Sequence, residues 1–296
     1  MAAVLGEPVE SRLRRTVALL EARGYALPPL RLGAVCLGGR LSEGEVRAAV
    51  AVSAELRIAS GLVVSPAFVS RSAACRQRAL THPAAAAAYL PQTLRFVERV
   101  VALCPFVLAV SVAGSLASGG FVESDDVDLN LIVADGRRHL AYVAVNLLAF
   151  LHALGRRGKP VDDSTRRPLA PRVMTLNLVL EDRACFPLAR TDAQMALELL
   201  QSQPLFGAGC LQSVIAANPE LGEHFPQLLE PRSELALEVR WRLPRRLFPR
   251  WLDGPCRLLG AAAWRWMQWT RRHRPAALAR VAFVRQTMQP YALFEP

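Results

Sequence analysis

The chain has 296 residues, of which 52% are hydrophobic and 21% charged, so it can bury a large core and is neither disordered nor fibrous. Its formal net charge of +11 suggests a nucleic acid or an anionic membrane as partner. Lys159 is the only lysine, however, and this arginine skew, together with abundant alanine, is typical of GC-rich coding sequence.

The excess positive charge is concentrated at the C-terminal end. Residues 240–296 hold 12 arginines against Asp253 and Glu295, a net charge of +10. Residues 1–239 are nearly balanced, at +1. The net charge therefore describes one segment of the chain and is a weak guide to the function of the rest.

Cysteines and apolar stretches indicate the compartment. The six cysteines are scattered, without a Cys-x-x-Cys pair or a histidine at zinc-ligand spacing, so we expect buried thiols. The N-terminus lacks the apolar stretch of a signal peptide, which favours a cytoplasmic location. Residues 100–122 carry no charge, but Pro105 and Gly114 interrupt them, so we expect no transmembrane segment.

Residues 9 to about 95 are predicted to form a small helical unit. Leu13, Val17 and Leu20 share one helix face, and Gly24 would end that helix. Ser42 and Glu45 form a capping box that begins further helical segments through residue 57. Residues 62–64 and 67–69, separated by Pro66, suit a short hairpin.

Three helices followed by a hairpin is the layout of a winged helix. Such a unit either inserts a helix into the DNA major groove or serves only as a packing module. Residues 46–57 are mostly Ala, Val and Leu and offer few base-reading side chains, which favours the packing module.

An α/β unit follows a junction that we expect at residues 81–91, where five alanines lie between two prolines. Strands are predicted at residues 106–112, 127–133 and 173–180. A helix that Gly155 would end lies between the second and third strands, and its face is marked by Leu140, Val143, Leu147, Leu151 and Leu154. Beyond Thr191 we expect helices, broken around residues 204–209 and at 218–219, and then the arginine-rich tail. The predicted domains are 1–92, 93–200 and 201–296.

The segment most informative about chemistry is residues 114–129. The pair Gly114-Ser115 ends one apolar strand, and Asp126 and Asp128 open the next. Because strand side chains alternate, both carboxylates point to the same face, an arrangement that is costly unless a cation neutralises them. Mg²⁺ is the natural cation for such oxygen ligands, and the turn at Gly114 lets backbone N–H groups approach an anion held beside it.

This pattern, hydrophobic-Gly-Ser followed after about ten residues by Asp-hydrophobic-Asp, resembles the signature of the DNA polymerase beta-type nucleotidyltransferase superfamily. A weaker similarity to bacterial nucleotidyltransferase-domain proteins extends through the following helix and strand to residues 204–207 and 217–218. The resemblance implies an α/β (α+β) nucleotidyltransferase core, here with a winged-helix-like N-terminal unit and an α-helical C-terminal domain.

The resemblance also implies a site and a reaction. Asp126 and Asp128 would bind one or two Mg²⁺ ions, and Gly114, Ser115 and Ser118 would hold the triphosphate of a nucleoside triphosphate. An acceptor nucleophile would attack the α-phosphorus, and pyrophosphate would leave, with two metals clamping the attacking and leaving oxygens. No P-loop is present, which excludes that class of nucleotide-hydrolysing protein.

Two positions depart from the family pattern. Many members carry a third carboxylate on the strand after the helix, where this chain has Asn177, which supplies a carbonyl oxygen but no charge. Glu181 or Asp182 could substitute for it. Many members also place an arginine, a phosphate ligand, where this chain has Ser118.

The tail, residues 240–285, interleaves arginines with all five tryptophans of the chain. It is either a basic amphipathic surface that contacts nucleic acid or an anionic membrane, or a helical domain whose tryptophans pack inward. The breaks at residues 253–255 and 275 favour inward packing.

Two functions follow from the sequence. The first is a Mg²⁺-dependent nucleotidyltransferase that moves a nucleoside monophosphate from a triphosphate to an unidentified acceptor. The alternative is a catalytically degenerate nucleotidyltransferase fold that senses nucleotides or binds nucleic acid, suggested by Asn177, by Ser118 and by the basic tail.

Overall fold

Helices and short strands alternate along the computed structural model, which describes residues 7–154, 173–235 and 237–273 and a few single positions after 273. The strands are β1 (Arg57–Ala59), β2 (Leu62–Val64), β3 (Val107–Ala113), β4 (Val127–Val133), β5 (Met174–Glu181) and β6 (Gln203–Phe206). The helices are α1 (Val9–Ala22), α2 (Pro29–Ala34), α3 (Glu43–Val52), α4 (Val69–Leu103), α5 (Gly114–Ser118), α6 (Arg138–Leu154), α7 (Ala193–Gln201), α8 (Ala208–Ala217), α9 (Pro219–His224) and α10 (Asp253–Arg271). Gly155, the expected end of α6, and Lys159 lie outside the described residues.

A mixed sheet of four strands, in the order β5-β4-β3-β6, carries the centre of the fold. The strand β3 is antiparallel to β4 and to β6, whereas β4 and β5 are parallel. A parallel pair needs a crossover connection, and α6 lies in it. The predicted order of strand, turn, strand, helix and strand is confirmed, and the fold is of the mixed α/β kind.

Each face of the sheet is covered by different helices. Val127, Leu129 and Leu131 of β4 pack in one core with α4 and α6. Ile132, on the opposite face of β4, belongs to a second core that contains α1–α3 and α7–α9. Because side chains alternate along a strand, Asp128 points toward the face covered by the N-terminal helices and α7.

The N-terminal unit has three helices, but one of them and the hairpin differ from the prediction. Only α3 follows the capping box, where two helical segments were expected through residue 57, and the third helix is α2, which precedes the box. Helix α1 ends before Gly24, whose φ is +84°, and Ser42 and Glu45 form the expected capping box of α3. The hairpin pairs β1 with β2 around Ser60 and Gly61, with φ of +52° and +75°. The hairpin therefore joins residues 57–59 to 62–64, whereas 62–64 and 67–69 were predicted to pair. Positive φ at both turn residues favours this two-residue turn, because it matches the twist of paired strands.

The segment expected as a junction lies inside α4, which runs without a break through residues 81–91. Pro83 and Pro91 are both exposed, so the carbonyl groups that lose an intrahelical partner can be solvated. The alanines between them have the highest helix propensity of any residue. The predicted domain boundaries remain predictions: residue 92 is inside α4, and Gln201 is the last residue of α7.

One strand of the sheet was not predicted from the sequence. Residues 203–206, expected to be part of a break between helices, form β6 on the edge of the sheet beside β3. Pro204 is tolerated there because an edge strand has one side on which no backbone donor is needed. The predicted break at residues 218–219 is confirmed, since α8 ends at Ala217 and α9 begins at Pro219.

Four of the five tryptophans of the tail are exposed and Trp264 is half-buried, contrary to the inward packing that the sequence favoured. Trp241, Trp251, Trp266 and Trp269 each expose more than half of their surface. Helix α10 packs against α6 along one side, where Asp253 accepts from the Leu140 N–H, and its opposite side faces solvent. Single-turn helices and extended chain, which provide few inward positions, hold the other tryptophans.

The cysteines behave as expected. All six are free thiols, and four of them are buried. Burial raises the pKa of Cys104 and of Cys185 to about 12, which keeps both thiols protonated at neutral pH. No helix among the described residues has the length and apolarity needed to cross a membrane.

Candidate functional site

The turn after β3 brings Gly114 into contact with Asp128. Ala113 pairs with Asp128 across the β3–β4 ladder, and the chain then enters α5 at Gly114 with φ of +60°. A Cβ atom at Gly114 would lie only 2.1 Å from Asp128 Oδ2 and 3.0 Å from its Cγ. Glycine is therefore required here both for its backbone conformation and for the close approach of the carboxylate.

The two predicted aspartates lie on one face of the β4 end. Asp126 is exposed and Asp128 half-buried, while Val127 and Leu129 between and beside them are fully buried in the opposite direction. Asp128 Oδ1 accepts a hydrogen bond of 2.9 Å from Thr175 Oγ1 on β5. This bond and the contact with Gly114 orient the Asp128 carboxylate.

The two serines of the turn have different roles. Ser115 is half-buried, and its hydroxyl has no hydrogen-bond partner among the described residues. The hydroxyl of Ser118 is buried and donates to the Ser115 carbonyl at 3.4 Å. The Ser115 hydroxyl can thus serve a ligand, whereas that of Ser118 is engaged within the turn itself.

A guanidinium group from the N-terminal unit lies against the same turn. Arg31 of α2 donates from an Nη atom to the Ser118 carbonyl at 3.0 Å. A Cβ atom at Gly119 would lie 2.2 Å from the other Nη, so this glycine also makes room for Arg31. Arg31 is exposed and has no carboxylate within ion-pair distance in the described parts of the chain. Arg31 therefore places a positive charge beside the turn.

Asn177 does not pair with Asp128. The residue of β5 that pairs with Asp128 is Thr175, and Asn177 lies two residues further along β5, at a bulge next to Asn130. The Asn177 amide nitrogen donates to Asn130 Oδ1 and to Glu198 Oε1, both at 2.9 Å. Asn177 therefore belongs to a polar network behind the site, and Thr175 is the β5 residue that contacts Asp128.

The same network connects the sheet to the N-terminal unit. Glu198 of α7 accepts from Asn130 Nδ2 at 3.1 Å and pairs with Arg23 at 2.6 Å. Arg23 follows α1 directly and also donates to the Gln194 carbonyl at 2.8 Å. All residues of this network are buried or half-buried. Their hydrogen bonds to one another therefore replace bonds to water, which has little access there.

The substitutes considered for a third carboxylate are at the wrong end of the sheet. Glu181 pairs with Val133, six residues along β5 from the Thr175 that pairs with Asp128. At about 3.3 Å per residue this separation is roughly 20 Å. Glu181 also accepts from the Gly136 N–H at 2.9 Å, and Asp182 follows it into a 3-10 turn. Neither residue can act together with Asp126 and Asp128.

The donor set at the turn fits a single Mg²⁺ ion shared with phosphates. Asp126 and Asp128 supply two carboxylates, and Mg²⁺ is usually held by one or two carboxylates together with substrate phosphate oxygens. No group of three His, Cys, Asp or Glu side chains suited to a metal occurs among the residues that the structure describes. The set fits a second ion less well, because the nearest further carboxylate, that of Asp125, is paired with Arg78.

Known proteins add no information about this site. The chain matches no family model, no curated protein and no solved structure. Its chemistry is therefore inferred from the residues themselves.

Three of the polar residues at or behind the turn were not predicted from the sequence. Thr175 was detectable in principle, because the register of a parallel pair would place it beside Asp128. Arg31 and Glu198 carry no local signal, since each is far from the motif along the chain and reaches it only through the packing of α2 and α7.

Proposed function

We propose that the chain is a Mg²⁺-dependent nucleotidyltransferase that transfers a nucleoside monophosphate from a nucleoside triphosphate to an acceptor nucleophile, with release of pyrophosphate. The observation that carries this proposal is the contact of the Asp128 carboxylate with Gly114, beside Asp126 on the same face. Two carboxylates beside a glycine turn supply the metal ligands and the close backbone approach that a metal-bound triphosphate requires.

Each residue of the turn has a role in this proposal. Asp126 and Asp128 would hold the metal, and Thr175 would fix the orientation of Asp128. The Ser115 hydroxyl would donate to a phosphate oxygen, and Arg31 would supply a charged donor at the far end of the turn. When bound, Mg²⁺ would neutralise charge that develops on the phosphates and orient them for displacement.

The N-terminal unit is, in the same proposal, a winged-helix-like packing module. The order of three helices and a hairpin supports it, as does the burial of Leu13, Val17 and Val46 in a core shared with α7–α9. The exposed arginine of α3, Arg47, pairs with Glu43 at 2.7 Å instead of projecting alone. This pairing leaves α3 poorly suited to reading bases.

Calorimetric titration of Mg²⁺-nucleoside triphosphate tests the site. We expect the wild type to bind and the double variant Asp126→Asn, Asp128→Asn to lose at least tenfold in affinity, about 1.4 kcal/mol. Asp182→Asn, which removes one carboxylate at the opposite end of the sheet, is the control and should bind normally. Equal binding by the wild type and the double variant would contradict the site.

A second function has its own support. The amide of Asn177 is held by Asn130 and Glu198, so no acidic side chain of β5 lies beside the aspartate pair. That arrangement favours a degenerate fold that binds nucleotide without turnover. Transfer of label from an α-labelled triphosphate to any acceptor would exclude this alternative, whereas metal-dependent binding without transfer would support it.

A further inference from the structure

Helix α10 presents an apolar outer face to solvent. This outer face consists of Leu258, Leu259, Trp266 and Trp269, which are 69%, 61%, 65% and 60% exposed. At 100° per residue the four side chains, with Ala262 and Ala263 between them, lie on one half of the helix. Large apolar side chains are rarely grouped on the surface of a protein without a binding role.

The opposite side of α10 is attached to the protein. The Asp253 carboxylate accepts from the Leu140 N–H and contacts His139 Nδ1, both at 2.8 Å and both in the first turn of α6. Gly260, about two turns further along α10, is buried. The outer face is therefore held in a defined orientation away from the core.

Arginines border the outer face, with no acidic side chain among them. Arg257 and Arg265 lie on the same flank of α10 and are exposed, as is Arg272 at its end. The guanidinium of Arg272 lies 4.1 Å from the centre of the Trp269 ring. From residue 254 to residue 273 the chain contains no Asp or Glu. The face thus combines apolar side chains with uncompensated positive charge.

A second exposed apolar stripe lies on the neighbouring helix α6. Phe150, Leu151 and Leu154 occur at the spacing of one helix face, and each exposes close to half of its surface or more. Because α6 packs against α10, two adjacent helices each leave apolar side chains unburied.

We propose that the outer face of α10 docks on an anionic lipid surface. A helix that carries Trp and Leu on one side and arginines on its flank can lie in the headgroup region, with its apolar face at the acyl boundary and the arginines at lipid phosphates. Nucleic-acid interfaces are polar and use aromatic stacking, so a face with exposed leucines fits lipid better. This inference is independent of the proposed nucleotidyl transfer.

Vesicle co-sedimentation of the full chain tests the proposal. We expect binding to vesicles of phosphatidylglycerol and phosphatidylcholine, and little binding to vesicles of phosphatidylcholine alone. The variant Trp266→Ser, Trp269→Ser should lose at least about tenfold in affinity, because binding scales with the apolar area inserted. Leu80→Ser, which removes an equally exposed apolar residue from α4, is the matched control and should bind as the wild type.

A second variant tests whether the arginines beside the outer face contribute to lipid binding. Arg257→Gln, Arg265→Gln should weaken binding to the anionic vesicles about 25-fold, since each basic residue near such a surface contributes about 1 kcal/mol. Circular dichroism of every variant checks that the fold is kept. Absence of binding, equal binding to both vesicle types, or loss of oligonucleotide binding instead of vesicle binding in these variants would overturn the proposal.

Discussion

The Oδ2 atom of Asp128 lies 2.1 Å from the place where a Cβ atom on Gly114 would be. Two residues that are 14 positions apart along the chain thus share one space at the end of the β3–β4 pair. The carboxylate can take this position only because residue 114 has no side chain.

Gly114→Ala should therefore remove the site. The added methyl group would displace the Asp128 carboxylate, and the left-handed conformation costs a non-glycine residue about 1–2 kcal/mol. We expect Mg²⁺-nucleotide affinity to fall at least tenfold and the free energy of unfolding to fall by about that cost. Gly120→Ala is the control, because a Cβ there meets no atom within 4 Å. Calorimetry and urea denaturation measure both effects, and normal nucleotide binding by Gly114→Ala would contradict the proposed turn.

Asn177→Asp should not restore a catalytic carboxylate. The Asn177 amide nitrogen donates to Glu198 Oε1, so an aspartate would place a second carboxylate against Glu198. We expect a loss of about 1–3 kcal/mol in stability at pH 7, because a donor is replaced by a like charge.

The pH dependence of this variant identifies the cause. One of the two carboxyl groups would take up a proton more readily, so the loss should shrink as pH falls toward 5. Adding Glu198→Gln to Asn177→Asp should recover part of the loss. Denaturation curves at pH 5 and 7 provide the measurement, and a variant as stable as the wild type at pH 7 would show that the network is unimportant.

Arg31→Gln should lower the affinity for nucleotide while leaving the stability of the fold nearly unchanged. The side chain is exposed and has a single hydrogen bond, so its loss should change the free energy of unfolding by less than about 0.5 kcal/mol. A charge-assisted bond to phosphate contributes more, about 1.5–3 kcal/mol, so nucleotide affinity should fall about tenfold or more. Arg14→Gln, an exposed arginine paired with Glu55, is the control. Unchanged nucleotide affinity in Arg31→Gln would limit this residue to support of the turn.

We expect His82, which accepts a hydrogen bond from the loop that leads to Asp126, to make the free energy of unfolding depend on pH. Burial and the nearby Arg31 guanidinium lower the pKa of His82, whose Nδ1 accepts from the Phe121 N–H at 3.2 Å. Below pH 6.5 the unfolded chain then binds more protons at this site than the folded protein, so stability falls as pH falls.

His82→Asn tests this contribution, since the asparagine oxygen can accept the same hydrogen bond while it cannot become charged. The stability of His82→Asn should fall less between pH 7 and pH 5 than that of the wild type. His273→Asn, which removes an exposed histidine elsewhere, should keep the profile of the wild type. Parallel pH profiles of His82→Asn and the wild type would contradict the contribution of His82.

Sequence patterns predicted the elements whose stabilising interactions are between residues close together in the chain. The capping box at Ser42 and the alternation of residues 127–133 fix a helix start and a strand without distant partners. The prediction was wrong where two nearby segments could each form a hairpin turn. Pro66 was expected in the hairpin turn, but it begins a 3-10 turn, and the hairpin turn is formed by Ser60 and Gly61. The proline-flanked alanines became helix because both prolines face solvent.

The sequence by itself determined the spacing of Gly114, Asp126 and Asp128, because a strand, a turn and a second strand need only neighbouring residues and a period of two. Only the tertiary structure decided what surrounds them: Arg31 at the turn, Thr175 beside Asp128, and Asn177 engaged with Glu198. These contacts join elements that are distant along the chain, and packing of helices on the sheet sets them. Packing likewise left Trp266 and Trp269 of α10 exposed, whereas the sequence favoured inward packing of the tryptophans.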